Sequence, residues 1–383
     1  MTTPVRAFSG ARIFDGTTLL SDRILLENAD GSTKIIAQDA LQSGCPVTPL
    51  SGGLITRGLI DLQANGGGGV MFNHAPQVDT LAQIAAAHRG LGTAALLPTL
   101  ITDTPDNTRA AIAAIRAAHD QRVQGIAGVH LEGPHLSQAR KGAHDGALIR
   151  PMEHADLAAI LDAAHAIDTV MVTVAPENVT MDQITQMTQE GIVVSLGHSD
   201  CDYDTAMRAF DAGARCATHL YNAMSQASSR APGLVGAALD HGATSAGLIA
   251  DGIHVHPAMI RSALAAKQGP GEIFLVSDAM ATAGSDITSF TLNGREILRK
   301  DGRLTLGDGT LAGADLTLPQ AVAYLVNAVG IPLADALAMA SRVPAGLLRQ
   351  NDSFDRIGDL VWFNDASEDA DCALTNPRWL SDV

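Results

Sequence analysis

Gly128-Val-His-Leu-Glu132-Gly-Pro-His-Leu136 places a lone carboxylate, Glu132, directly behind an apolar run that reads as a buried strand. In α/β proteins the C-terminal ends of parallel strands are where chemistry is placed. Two later runs end in the same fashion, Val193-Val-Ser-Leu-Gly-His198 and Cys216-Ala-Thr-His219, and a fourth, Ile273-Phe-Leu-Val-Ser-Asp278, ends in an aspartate. One Glu, two His and one Asp on four strand ends make the donor set of a metal-dependent hydrolase.

Working outward, the chain alternates short apolar runs with Ala-rich amphipathic stretches from about residue 58. The pattern predicts strands at 59–62, 94–100, 126–131, 170–175, 192–196, 215–218, 246–250 and 273–277. Helices are expected at 80–88, 105–119, 156–165, 181–190, 203–212 and 257–267, with two more at 318–329 and 333–341. Strands without polar alternation, separated by helices, indicate a parallel sheet. Eight of them, with candidate residues converging from several strand ends, indicate a (β/α)₈ barrel rather than an open sheet with one switch point.

The chain ends read differently. Ala11-Arg-Ile-Phe-Asp15, Arg23-Ile-Leu-Leu-Glu27, Lys34-Ile-Ile-Ala37, Gly358-Asp-Leu-Val-Trp-Phe-Asn364 and Ala373-Leu-Thr375 are short runs broken by polar residues and glycine. They are expected as antiparallel strands of one small β-sandwich domain, built from residues 1–56 plus 354–383. The barrel would then span 57–353, with an insertion near 291–312 marked by the hairpin signal Asp301-Gly302.

Composition narrows the function classes. Of 383 residues 46% are hydrophobic but only 3% aromatic, so Ala, Leu, Val and Ile must fill the core. No apolar run is long enough for a membrane helix, and Met1-Thr-Thr-Pro-Val-Arg6 lacks the shape of a secretion signal. Four scattered cysteines suggest no disulfide framework, and a cytoplasmic location is expected. A formal charge of −16 argues against nucleic acid as a partner. An anionic ligand would need local cations, and Arg140, Lys141 and Arg230 are the candidates, each otherwise an ordinary surface charge.

Glu132, His198 and His219 suit a divalent ion such as zinc, and three protein ligands leave a position open for chemistry. Each alone would read as a hydrogen-bonded core residue; together, with Asp278, they favour a metal site. Asp278 could be a helix cap or a ligand, but beside an ion it suits proton transfer. Cys216 and His219, three apart on a strand, point to opposite faces, so the cysteines read as inert buried thiols. Gly66-Gly-Gly-Gly69 lacks the residues of a phosphate loop and reads as a flexible turn over the barrel mouth.

These motifs resemble the N-acetylglucosamine-6-phosphate deacetylase family, a branch of the metal-dependent amidohydrolases. The likeness runs through Gly58-Leu-Ile-Asp-Leu-Gln-Ala-Asn-Gly66, His130-Leu-Glu-Gly-Pro134, Lys141-Gly-Ala-His144 and Leu196-Gly-His-Ser199. It continues in Thr218-His-Leu-Tyr-Asn-Ala-Met224, Ile249-Ala-Asp-Gly-Ile-His254 and Val276-Ser-Asp-Ala279. The resemblance implies hydrolysis of the acetamide of N-acetylglucosamine 6-phosphate, with the galactosamine epimer, or a cyclic amide or purine, as alternatives. It implies one divalent metal per subunit on Glu132, His198 and His219, zinc first, with iron(II) or another ion accepted by the same ligands. Asp278 would be general base and acid, and His144 would polarise the amide carbonyl. Ala143, Asn222, the Ala223 backbone and Arg230 would bind substrate, and His254 would reach the site of the neighbouring subunit in a homodimer. The chain departs from the wider superfamily at the first strand end, where Gln63-Ala-Asn65 replaces His-x-His. Amides are poor zinc ligands, so Gln63 and Asn65 are expected around a single ion rather than on a second one.

Overall fold

The computed structural model describes residues 4–349, 356–366 and 372–383. Eight apolar runs become parallel neighbours in chain order: Leu59–Ala64, Thr93–Ile101, Val129–Glu132, Val170–Val174, Val193–Leu196, Cys216–Ala217, Ser245–Leu248 and Ile273–Leu275. Nearly all their residues are buried, because helices cover the outside while side chains fill the interior. The sheet closes on itself just beyond the strand ends. Ala64 bridges Ala279, Asp278 N–H donates to Gln63 O at 3.0 Å, and Asn65 N–H donates to Ala279 O at 2.8 Å. The expected (β/α)₈ barrel is the fold.

Local sequence sets the helices between strands. Thr104 caps helix Pro105–Asp120 by accepting the Asn107 N–H at 3.2 Å, and proline occupies the first turn, where its missing N–H costs nothing. Ala111, Ile112, Ala114, Ile115 and Ala118 make the buried face of that helix. Two elements differ from expectation. The stretch 318–329 is α-helical only over Leu318–Tyr324 and widens to a π turn over Leu325–Val329, ending at left-handed Gly330. Helix Gly233–Asp240 was not legible as one. Apart from Asp240 it consists of Gly, Leu, Val and Ala, so no polar face sets off an amphipathic stripe.

The terminal segments form two sheets. One holds Pro4–Ser9, Arg23–Asn28, Thr33–Ala37 and Val47–Pro49; the other joins Arg12–Phe14, Leu19–Leu20 and Leu54–Arg57 to Leu360–Ala366 and Leu374–Trp379. Phe8, Ile13, Leu25, Ile55, Trp362 and Leu380 fill the space between them. The expectation of antiparallel strands throughout needs correction. Ala7–Ser9 runs parallel to 47–49, and Arg12–Ile13 parallel to Leu54–Ile55, because the chain crosses between sheets before pairing. The expected boundary at 353–354 lies outside the described residues.

The insertion after the eighth strand is a four-stranded antiparallel sheet, Ser289–Leu292, Arg295–Lys300, Arg303–Thr305 and Leu311–Ala314. Lys300 pairs with Arg303 across Asp301 and Gly302, whose φ values of 52° and 71° give the left-handed pair a two-residue hairpin needs. Its last strand meets the barrel seam. Ala314 N–H donates to Asp278 O at 2.9 Å, so the insertion is rooted on a site residue.

Candidate active site

At the C-terminal mouth of the barrel lies a cavity of about 380 Å³. Its wall includes Glu132, His198, His219, Asp278, His144, Asn65, Asn222, Ala223, Ala143 and His254, contributed by loops far apart in sequence. Strand ends supply the four residues singled out first, and the backbone turns sharply at three of them. His198, His219 and Asp278 have φ values of 47°, 31° and 48°, a left-handed conformation that non-glycine residues adopt at a cost of about 1–3 kcal/mol. Hydrogen bonds hold each turn: Ser137 N–H to His198 O at 2.8 Å, Asn222 N–H to His219 O at 2.9 Å, and the seam contacts of Asp278.

Glu132, His198 and His219 converge. His198 Nε2 and His219 Nε2 are 3.0 Å apart, and each lies 3.1–3.2 Å from Glu132 Oε1. His198 Nδ1 is 2.8 Å from Arg140 O and must donate its proton there, which leaves its Nε2 lone pair facing the other two groups. Two imidazole nitrogens and a carboxylate oxygen aimed at one point, all buried, fit a divalent cation, and their ligand atoms lie within 4.8 Å of one another. The electrostatics say the same. Burial alone would raise the Glu132 carboxyl, yet its hydrogen bonds to His198 and His219 hold it well below the usual range. Burial opposes charge on His219, but Glu132 outweighs it and raises the imidazole. The cluster wants net positive charge at its centre.

Asp278 lies beside this cluster. Asn65 Nδ2 donates to its Oδ1 at 2.8 Å, and Gln63 Nε2 reaches the same oxygen at 3.2 Å as well as both Glu132 oxygens at 3.2 and 3.3 Å. Both amides therefore crowd Oδ1, and Oδ2 is the oxygen free of them. Burial, and then the Glu132 charge, push the Asp278 carboxyl up to about 6, in the range of a working general base. His144 has its Nδ1 2.8 Å from the Thr102 hydroxyl and 3.3 Å from the Thr102 N–H. Nδ1 is thus the acceptor and Nε2 carries the proton. Burial and the nearby His198 push its pKa down to about 3, so the ring is a neutral donor at physiological pH.

Other expectations fare differently. His254 lines the cavity of its own chain, with Nδ1 2.6 Å from Asp251 Oδ2. Arg230 is exposed and outside the cavity wall, and Lys141 is also exposed. Arg140 lines the cavity and is paired with Asp200 at 2.7 Å. Gly66-Gly-Gly-Gly69 is a packed hairpin, not an open flexible turn. Gly66 and Gly67 pair with Val70–Met71, and a Cβ on Gly66 would sit 2.4 Å from Val70 O. Cys216 and Cys201 face the core, where burial lifts their thiols to about 12 and 11, as inert thiols require.

Sequence reasoning missed Thr102, which fixes the His144 tautomer, and the Arg140 carbonyl, which fixes that of His198. Thr102 closes the second barrel strand and could have been found by extending the strand-end rule; a carbonyl leaves no signal in sequence. Asp251, which orients His254, and the insertion residues of the cavity wall were also missed.

A closed (β/α)₈ barrel with a buried Glu/His/His cluster beside an elevated Asp defines a metal-dependent hydrolase, and the family model agrees. Residues 54–357 match the amidohydrolase family, to which this chain belongs. Within it, the chain is 41% identical over 320 residues to an N-acetylgalactosamine-6-phosphate deacetylase of Shewanella sp. strain ANA-3, covering 82% of this chain and 80% of that protein. It is 36% identical over 336 residues to an N-acetylglucosamine-6-phosphate deacetylase of Haemophilus influenzae, covering 87% of each. The crystal structure of N-acetylglucosamine-6-phosphate deacetylase from Pasteurella multocida superposes with a TM-score of 0.89 at 35% identity, covering 96% of this chain and 97% of that one.

Proposed function

We propose that this chain hydrolyses the acetamide of an N-acetylhexosamine 6-phosphate, N-acetylglucosamine 6-phosphate first, to the free amino sugar phosphate and acetate. The observation that carries the reading is the convergence of Glu132, His198 and His219 with Asp278 and a neutral His144 in one buried cavity. The galactosamine epimer is the second reading, favoured by the 41% identity to a deacetylase named for it.

In this proposal Glu132, His198 and His219 hold a divalent metal, zinc or iron(II), which when bound supplies Lewis acidity toward water and the amide carbonyl. Asp278, steadied through Oδ1 by Asn65 and Gln63, takes a proton from the attacking water on Oδ2. As oxygen adds to the acetyl carbon, the His144 Nε2–H faces the carbonyl oxygen, where negative charge grows. Asp278 returns its proton to the sugar nitrogen as the C–N bond breaks, because an amide nitrogen is a poor leaving group as an anion. His254, held by Asp251, and the Asn222–Ala223 turn bind the phosphate, with Ala143 beside His144 on the opposite lip. A homodimer belongs to the same proposal. Arg230, off its own cavity wall, is the residue that would complete a partner's phosphate site. A cytoplasmic location and the division at 1–56 plus 354–383 against 57–353 belong to the same proposal. Among the described residues no helix is long and apolar enough to cross a membrane.

Acetate release from the two epimeric sugar phosphates by the metal-loaded protein tests the reading. Turnover of one or both supports it and ranks them; no release from either refutes it.

A further inference from the structure

The cavity has two unlike ends. Asn222, Ala223 and His254 follow the sixth and seventh strands and give one end polar groups. The opposite end has Ile101 at the close of the second strand, Met280 past the eighth, and Leu292 and Leu311 from the inserted sheet. Glu132, His198, His219 and Asp278 stand between them, with Ile101 paired in register to Glu132 and Met280 two residues beyond Asp278. Ile101, Met280 and Leu292 are only 5%, 2% and 0% exposed, yet all three line the cavity. They also anchor the insertion through a small cluster with Met71, Ile297 and Leu304.

Resting on the reading above, we infer that Ile101, Met280 and Leu292 form the pocket for the acyl methyl group and set the length of acyl chain removed. A sugar hydroxyl against that wall would lose its water without gaining a partner, so the sugar belongs at the other end. The acetamide carbon carries two substituents, the nitrogen leading to the sugar and the methyl. With the phosphate near His254 and the carbonyl between His144 and Asp278, the methyl must point the opposite way, onto this wall. Gly313 sets the depth of the pocket. It has a φ of 68°, and a Cβ there would lie 2.6 Å from Met280 Cγ and 2.9 Å from Asp278 O, so Met280 packs against bare backbone.

The test is kcat/KM for N-acetyl, N-propanoyl and N-butanoyl forms of whichever epimer the wild type prefers, read as release of free amine. One methylene beyond what an apolar pocket accepts typically costs about 10- to 200-fold. Met280→Ala and Leu292→Ala should each raise the butanoyl-to-acetyl ratio about tenfold or more. Ile249→Ala, which opens the cavity at the seventh strand, should leave the ratio unchanged. Should Met280→Ala fail to fold, Met280→Val and Leu292→Val carry the same sign with a smaller effect. An unchanged ratio in folded wall variants, or a rise in Ile249→Ala instead, overturns the acyl pocket while wild-type acetate release leaves the reaction standing. A wild type inert toward both epimers fails the reaction itself.

Discussion

Replacing Asp278 by Asn should silence the enzyme while leaving both fold and metal site in place. The amide has the shape of the carboxylate, and its oxygen can still accept from Asn65 Nδ2 and Gln63 Nε2, now 2.8 and 3.2 Å away. What disappears is a proton acceptor on the oxygen that those amides leave free. General acid–base catalysis is worth about 10²–10⁴-fold, and here one group serves both proton transfers, so the loss should reach the upper end or exceed it. Glu132, His198 and His219 are untouched, so elemental analysis should find wild-type metal content. Stability gives an independent readout in metal-free protein. Burial raises the Asp278 carboxyl from 3.8 to about 6, so ionising it costs the fold about 3 kcal/mol once the pH exceeds both values. The metal-free variant should therefore be more stable than wild type at pH 8, and the gain should fade as pH falls from about 6 to below 4, where both forms are neutral. Acetate release, metal content and urea unfolding at the two pH values check each part. Near-normal turnover would remove Asp278 from the chemistry, and loss of metal would make it a ligand instead.

Three further outcomes follow from the same geometry. His254→Ala and Arg230→Ala should raise KM for the phosphorylated sugar about 10- to 100-fold, the worth of a charge-assisted hydrogen bond, and change activity on the unphosphorylated sugar little; equal losses on both substrates would make the residues structural. The rate should fall on the acid side as Asp278 takes up a proton, with a midpoint no higher than about 6, because a cation in the neighbouring cluster can only lower the free-protein value; an acid limb with its midpoint well above 6 would contradict this. Purified protein should hold one metal per chain, and Gln63→His with Asn65→His should create capacity for a second, since Gln63 Nε2 now reaches Glu132 at 3.2 Å; full occupancy by two metals in the wild type would refute the single-ion arrangement.

Much of this molecule was legible in order along the chain. The eight barrel strands announce themselves as short apolar runs because both faces of a parallel strand are buried, and six of the interposed helices carry an amphipathic stripe. Glu132, His198, His219 and Asp278 stand out for the same reason, as polar residues where a buried strand has just ended. The hairpin at Asp301-Gly302 is equally local, since only a left-handed pair fits its turn. Helix Gly233–Asp240 carries no such stripe, because before Asp240 its residues are apolar on every face.

Sequence alone determined which residues carry donor atoms and that they belong to strand ends of one barrel, because burial writes a periodic signal into the chain. It did not determine which atom of each residue faces the reaction. Those answers depend on contacts between segments with no sequence relation: the Arg140 carbonyl that claims one nitrogen of His198, the Thr102 hydroxyl that claims one of His144, and Asn65 on Asp278 across the closing seam. Hydrogen bonds are directional and short, so the tautomers and the free carboxylate oxygen are settled only when closure of the barrel brings those partners within reach.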